Sequence, residues 1–169
     1  MIARISFALL VIVAALAQAT ILPILLPAGL VPNLVLVALL VWAAWRGVAE
    51  GLVWVLGAGL LLDSVSLDRL GTNGLALLPV ALTAGLARHR LFRSGLVFPI
   101  MLTALATIAH GVILAVLRGF EGGFTTPPAE LVVAGLPRTL ILQALLNAVL
   151  VPPLYLVTGW MSRVTAEKH

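Results

Sequence analysis

Long apolar stretches, broken only by brief polar or Pro/Gly-rich punctuation, dominate this chain. Six apolar segments can be marked off, at 5–22, 31–45, 48–62, 71–87, 95–117 and 139–160. The second and third fall short of the ~17 residues that set the lower limit for a helical span. They meet at Arg46-Gly47, which predicts a tight helical hairpin. A hairpin that turned back without crossing would leave Arg46 in hydrocarbon at a cost of at least ~2.5–3.5 kcal/mol. Crossing with locally thinned lipid, or with flanking residues recruited into the helices, is the cheaper arrangement. Ahead of the hairpin, Pro23, Pro27, Gly29 and Pro32 form a breaker-rich turn without a charge. The longest connection, 118–137, carries Gly122, Gly123, Pro127 and Pro128, and Pro128-Ala129-Glu130 suits the opening of a short interfacial helix. Pro152-Pro153 is expected to kink the last segment. The first segment, with Arg4 before it and Ala17-Gln18-Ala19 late in it, imitates a signal peptide. Its apolar run exceeds the usual ~7–15-residue core and its basic region is one Arg, so it reads as a retained span.

Composition turns this pattern into a solvent argument. Of 169 residues, 62% are hydrophobic and 9% charged, and the mean hydropathy is +1.20. A water-soluble fold of this size could not cover so much apolar surface with so few charges. The expected fold is therefore an all-α polytopic membrane protein, one integral membrane domain over 1–169 with six transmembrane helices. The net charge of +4 does not point to nucleic acid, because the basic residues are spread along the chain and read better as topology signals. With the N-terminus inside, Arg4, Arg46, Arg88, Arg90, Arg93, Arg163 and Lys168 face the cytoplasm, against Arg69, Arg118 and Arg138 outside. Seven against three predicts N-in/C-in. Trp42, Trp45 and Trp160 fall near the expected cytoplasmic helix ends, where indoles prefer to sit.

Few polar residues interrupt the apolar segments. Asp63 closes the third, where a carboxylate opposes the helix dipole and should gain backbone N–H bonds in the turn toward Gly71. A proton or ion site is the sharper reading, and an Asx-type turn the favoured one. Glu50 lies one turn beyond Arg46, a spacing that suggests a structural pair. His110 falls well inside the fifth segment, and Gln143 and Asn147, at i and i+4 in the sixth, are placed to meet it as interhelical polar contacts. Gly47-x-x-x-Gly51 and Ala81-x-x-x-Gly85 are weak signals of close helix approach. With no cysteine in the chain and no second His four residues from His110, a metal site has no basis. Ser64 with His110 is the sole nucleophile–base pairing, without the Gly-x-Ser-x-Gly elbow around Ser64. Neither an enzyme nor a cofactor is expected.

Several stretches resemble the rod shape-determining protein MreD family. They are Val31-Pro32-Asn33-Leu34-Val35-Leu36 followed by Trp42, and Gly59-Leu60-Leu61-Leu62-Asp63-Ser64-Val65-Ser66 followed by Leu70-Gly71. Arg90-Leu91-Phe92-Arg93 and Leu146-Asn147-Ala148-Val149-Leu150 with Pro152 complete the set, so the likeness covers about 31–160. The family usually has Gly after the second Ser of the Asp-x-x-Ser turn, where this chain has Leu67. The resemblance implies a multi-pass, non-catalytic subunit of the bacterial cytoplasmic (inner) membrane, part of the cell-elongation (rod) complex that scaffolds peptidoglycan synthesis and cell shape. It implies as partners an MreC-like single-span periplasmic scaffold, the MreB filament, and the elongation glycosyltransferase and transpeptidase. On that reading Asp63, Ser66 and Asp68 face a periplasmic partner. Arg88, Arg90 and Arg93 face the cytoplasm or anionic lipid. The family's fold is similar to the substrate-binding subunits of energy-coupling-factor transporters. That likeness defines the alternative: a small-molecule-binding subunit using His110, Gln143, Asn147 or Asp63.

Overall fold

A computed structural model describes residues 2–26, 30–66, 68–86, 97–122 and 136–166. Among these residues there are six helices and no strand. They are α1 (Ile2–Leu25, with a π-helical turn at Ala17–Ile21), α2 (Leu34–Arg46), α3 (Val48–Ser66), α4 (Thr72–Leu86), α5 (Val97–Gly122) and α6 (Leu136–Ala166). The loop with Arg88, Arg90 and Arg93, position 67 and the expected helix at 128–130 lie outside the described residues.

Four helices are long and apolar enough to cross a bilayer: α1, α3, Val97–Phe120 of α5 and Arg138–Thr158 of α6. The expectation of six spans is met to that extent. The third segment gains length by continuing to Ser66. The sixth runs as one helix through Pro152 and Pro153. Helices α2 and α4 stay short. At 1.5 Å per residue, the 13 residues of α2 make about 20 Å, against a hydrocarbon core of ~30 Å.

Three contacts establish how the helices run. Arg4 at the start of α1 pairs with Glu50 at the start of α3. Asp68, between α3 and α4, pairs with Arg118 late in α5. Tyr155 late in α6 lies against Trp45 at the end of α2, ring centroids 5.5 Å apart. One end of the bundle therefore holds the start of α1 and the α2–α3 junction. The opposite end holds the α3–α4 turn and the C-terminal part of α5. The hairpin expected at Arg46-Gly47 is present and depends on Gly47, whose φ of 97° lies where side chains are disfavoured.

The short α2 is the centre of the bundle. Every residue from Val35 to Ala44 is buried, and all five other helices pack on it. A helix apolar all round is a core helix, and enclosure by protein removes the need for α2 to match the lipid thickness. Trp42, expected at the membrane interface, is instead 1% exposed. It stacks on Phe7 at 4.0 Å, and Trp54 meets both rings edge-on.

Helices α3 and α4 approach closely at a pair of glycines. A Cβ on Gly59 would lie 2.3 Å from the Cα of Gly74, so α3 has no room for a side chain there, whereas a Cβ on Gly74 would meet Gly59 only at an ordinary 3.9 Å. Gly51 and Ala81, each half of a small-residue pair in the sequence, face one another: a Cβ on Gly51 would lie 3.5 Å from that of Ala81. Around this core the outer helices turn apolar residues outward, as in the ridge Val97, Met101, Leu105, Ile108, Val112 and Val116 of α5. Such a surface suits lipid.

Candidate functional site

The polar residues gather in three places, one at each end of the bundle and one around the entrance to α2. The first is built on Asp63, which is fully buried (0% exposed). Its Oδ2 accepts from the Gly71 N–H at 2.6 Å. Its Oδ1 accepts from the Asn73 N–H and from Asn73 Nδ2, both at 2.8 Å. Asp63 closes α3, where the dipole disfavours it, but it caps the start of α4, where orphan N–H groups and the positive dipole end welcome a carboxylate. The turn reading of Asp63 thus acquires a physical cause. The network continues outward: Asn73 Nδ2 also donates to Asp68 Oδ2 at 3.1 Å, and Arg118 donates to the same oxygen at 2.8 Å. Three helices are tied at this end. Gly71 has φ 99°, which lets the chain reverse into α4. Ser66 is exposed at the last turn of α3, and Ser64 donates to the Leu60 carbonyl within its own helix.

The second cluster surrounds the non-helical stretch 30–33 that leads into α2. Backbone that is not helical can sit at membrane depth only where protein satisfies its polar groups. Gln143 Nε2 donates to the Val31 carbonyl at 2.7 Å. Asn147 Oδ1 accepts from the Asn33 N–H at 2.7 Å. Asn33 Oδ1 caps α2 by accepting from the Leu36 N–H at 2.9 Å, and Gln18 accepts from the Val35 N–H at 3.3 Å. Asn147 Nδ2 reaches Thr107 Oγ1 on α5 at 2.9 Å. The expectation that Gln143 and Asn147 bond to His110 is therefore corrected: both are committed to the entrance of α2. His110 is buried on α5, with Nε2 lacking a hydrogen-bond partner among the described residues.

The third cluster lies at the α1–α2–α3 end. Glu50 was expected to pair with Arg46 but receives Arg4, through Nε at 3.2 Å and a second nitrogen at 3.1 Å. Arg46 sits over the Trp42 ring, 5.3 Å from its centroid. Gly47 breaks the helix between Arg46 and Glu50, so the i, i+4 spacing does not place them on one face.

These arrangements hold helices and turns together, and they bring no nucleophile to a base. Among the described residues no group of three His, Cys, Asp or Glu side chains could hold a metal ion. A groove of about 290 Å³ between α1, α2 and α6 is lined by Leu10, Val13, Ala14, Leu34, Leu150 and Leu154 among others, all apolar. Sequence reasoning overlooked Asn73 and Thr107. Asn73 had a signal, the Gly71-Thr72-Asn73 run opening a helix, whereas Thr107 had none.

Comparison with known proteins adds one positive finding. The sequence model of a family described as rod shape-determining protein MreD matches residues 1–159. No curated protein and no solved structure matches.

Proposed function

Because the chain belongs to the family of rod shape-determining MreD proteins, we propose that it serves bacterial rod shape as a non-catalytic scaffold of the elongation complex in the inner membrane. Membership supports the role in cell shape, and the apolar helices fit a multi-pass membrane protein. The scaffold role is our reading, and one observation carries it. The buried side chains Asp63, Asn73 and Asn147 and the half-buried Gln143 are engaged in holding turns and helix starts, while the outer helices present apolar ridges. A protein built this way offers surfaces to other spans. The wholly apolar groove between α1, α2 and α6 suits an apolar helix better than a polar vitamin-sized ligand. The transporter-subunit alternative therefore has no observation in its favour.

In this reading both termini lie in the cytoplasm. The exposed Ser66 and the Asp68–Arg118 pair, with Asp63 holding the turn beneath them, face an MreC-like single-span periplasmic partner. The loop of Arg88, Arg90 and Arg93 faces the MreB filament side, with the elongation glycosyltransferase and transpeptidase as neighbours in the membrane. Native mass spectrometry of tagged protein purified from its own membrane tests this. A co-purifying single-span scaffold is the expected result. A stoichiometric vitamin-sized ligand with no protein partner overturns it.

A further inference from the structure

The Arg4–Glu50 cluster borders an open recess of about 580 Å³, lined by Arg4, Arg46, Ala49, Glu50, Val53 and Trp54. Two cations and one carboxylate leave a net charge of +1 there, which matches a single monoanion. The two Arg residues are held differently. Two nitrogens of Arg4 bond Glu50, yet its side chain remains 65% exposed, so other N–H groups of its five face outward. Arg46 rests on the Trp42 ring and has no ion-pair partner among the described residues. A guanidinium oriented by an indole, and not in direct contact with the carboxylate that Arg4 holds, keeps its N–H groups for an incoming oxyanion.

What surrounds the recess narrows the ligand. Below it on α3, Val53, Leu56 and Leu60 are exposed, and Ile5 and Leu9 are exposed on the adjoining α1. The polar recess therefore opens onto an apolar strip running along the bundle. A free phosphate has no use for such a strip, whereas a lipid has one part for each region. Trp54 lines the recess where an indole suits the headgroup level.

We propose that this recess binds the phosphodiester of a membrane phospholipid, with Arg46 and the outer edge of Arg4 on the phosphate and the acyl chains on Val53, Leu56 and Leu60. The inference rests on the chain's residence in a membrane and is independent of the scaffold role. The bound lipid would brace the hairpin that anchors the central α2 against α1. The test is native mass spectrometry of the full chain in detergent with dioleoylphosphatidylglycerol, dioleoylglycerol or inorganic phosphate. Phosphatidylglycerol should be retained, and Arg46→Gln should reduce that retention about tenfold, as expected for one charge-assisted hydrogen bond. Glu50→Gln should increase it, because Arg4 is released and the recess gains a positive charge. Unchanged melting of Arg46→Gln in detergent shows that the fold is intact. Equal retention by wild type and Arg46→Gln, equal retention of dioleoylglycerol, or displacement of the lipid by millimolar phosphate overturns the proposal.

Discussion

Asp63 illustrates how a membrane protein can keep a carboxylate buried without a catalytic use for it. Three N–H donors at 2.6–2.8 Å converge on its two oxygens, so removing the side chain strands donors of the α3–α4 turn inside the protein. Hydrogen bonds to charged groups contribute about 1.5–3 kcal/mol each, and a buried group left without its partner costs a further ~1–3 kcal/mol. Asp63→Ala should therefore lower stability by roughly 3 kcal/mol or more, read as a large fall in Tm in detergent. Arg118→Ala removes only a pair whose Arg side chain is 51% exposed, and pairs of that kind are worth about 0–1 kcal/mol. A stable Asp63→Ala protein that had lost its partner would show that the carboxylate acts in recognition and not in holding the turn.

At the scale of the helices, small residues decide what can touch. The Cβ that Gly59→Ala adds meets backbone atoms of Gly74, which cannot step aside as a flexible side chain would. Helices α3 and α4 must separate, and overpacking of that kind costs about 1–3 kcal/mol or more. Gly57→Ala, two residues away on the same helix, meets nothing within 4 Å and should leave Tm unchanged or slightly raised. A comparison of the two melting curves checks the crossing point. Neither Gly59 nor Gly74 was marked in the sequence as a helix contact, because a Gly-rich chain offers many equivalent candidates. The apolar segments did locate all six helices, since hydrophobic runs and Pro/Gly breaks are local signals. They did not reveal that α2 is the core, because lipid and protein interior select the same residues and Val35–Ala44 reads alike in either. The partner of Glu50 was misjudged for a related reason. Sequence spacing favours Arg46, whereas Arg4 comes from 46 residues away through the folding of α1 onto α3. The Asp63 turn was foreseeable because its donors lie only 8 and 10 residues ahead.

For the molecule as a whole, the fold has to reconcile helices of unequal length with one membrane. Helix α2 escapes the problem by being enclosed. Helix α4 does not, because Leu75 and Leu82 are exposed on it, and its 15 residues make about 22 Å. The bilayer beside α4 should be thinner than average, at a modest cost per ångström of mismatch. The contacts place Ala49 near the end shared with Arg4 and Arg46, and Leu70 near the end shared with Asp68 and Arg118. Both positions are exposed, and the chain contains no cysteine, so a single introduced thiol reports one location. If the excess of Arg and Lys at the first end sets orientation, Leu70→Cys reacts with a membrane-impermeant maleimide on intact spheroplasts, and Ala49→Cys reacts only after the membrane is opened. The opposite pattern would invert the molecule and move the Arg46 recess to the outer leaflet. Labelling of both from one side would contradict the antiparallel bundle itself, because the Arg4–Glu50 and Asp68–Arg118 pairs lie at opposite ends of α3.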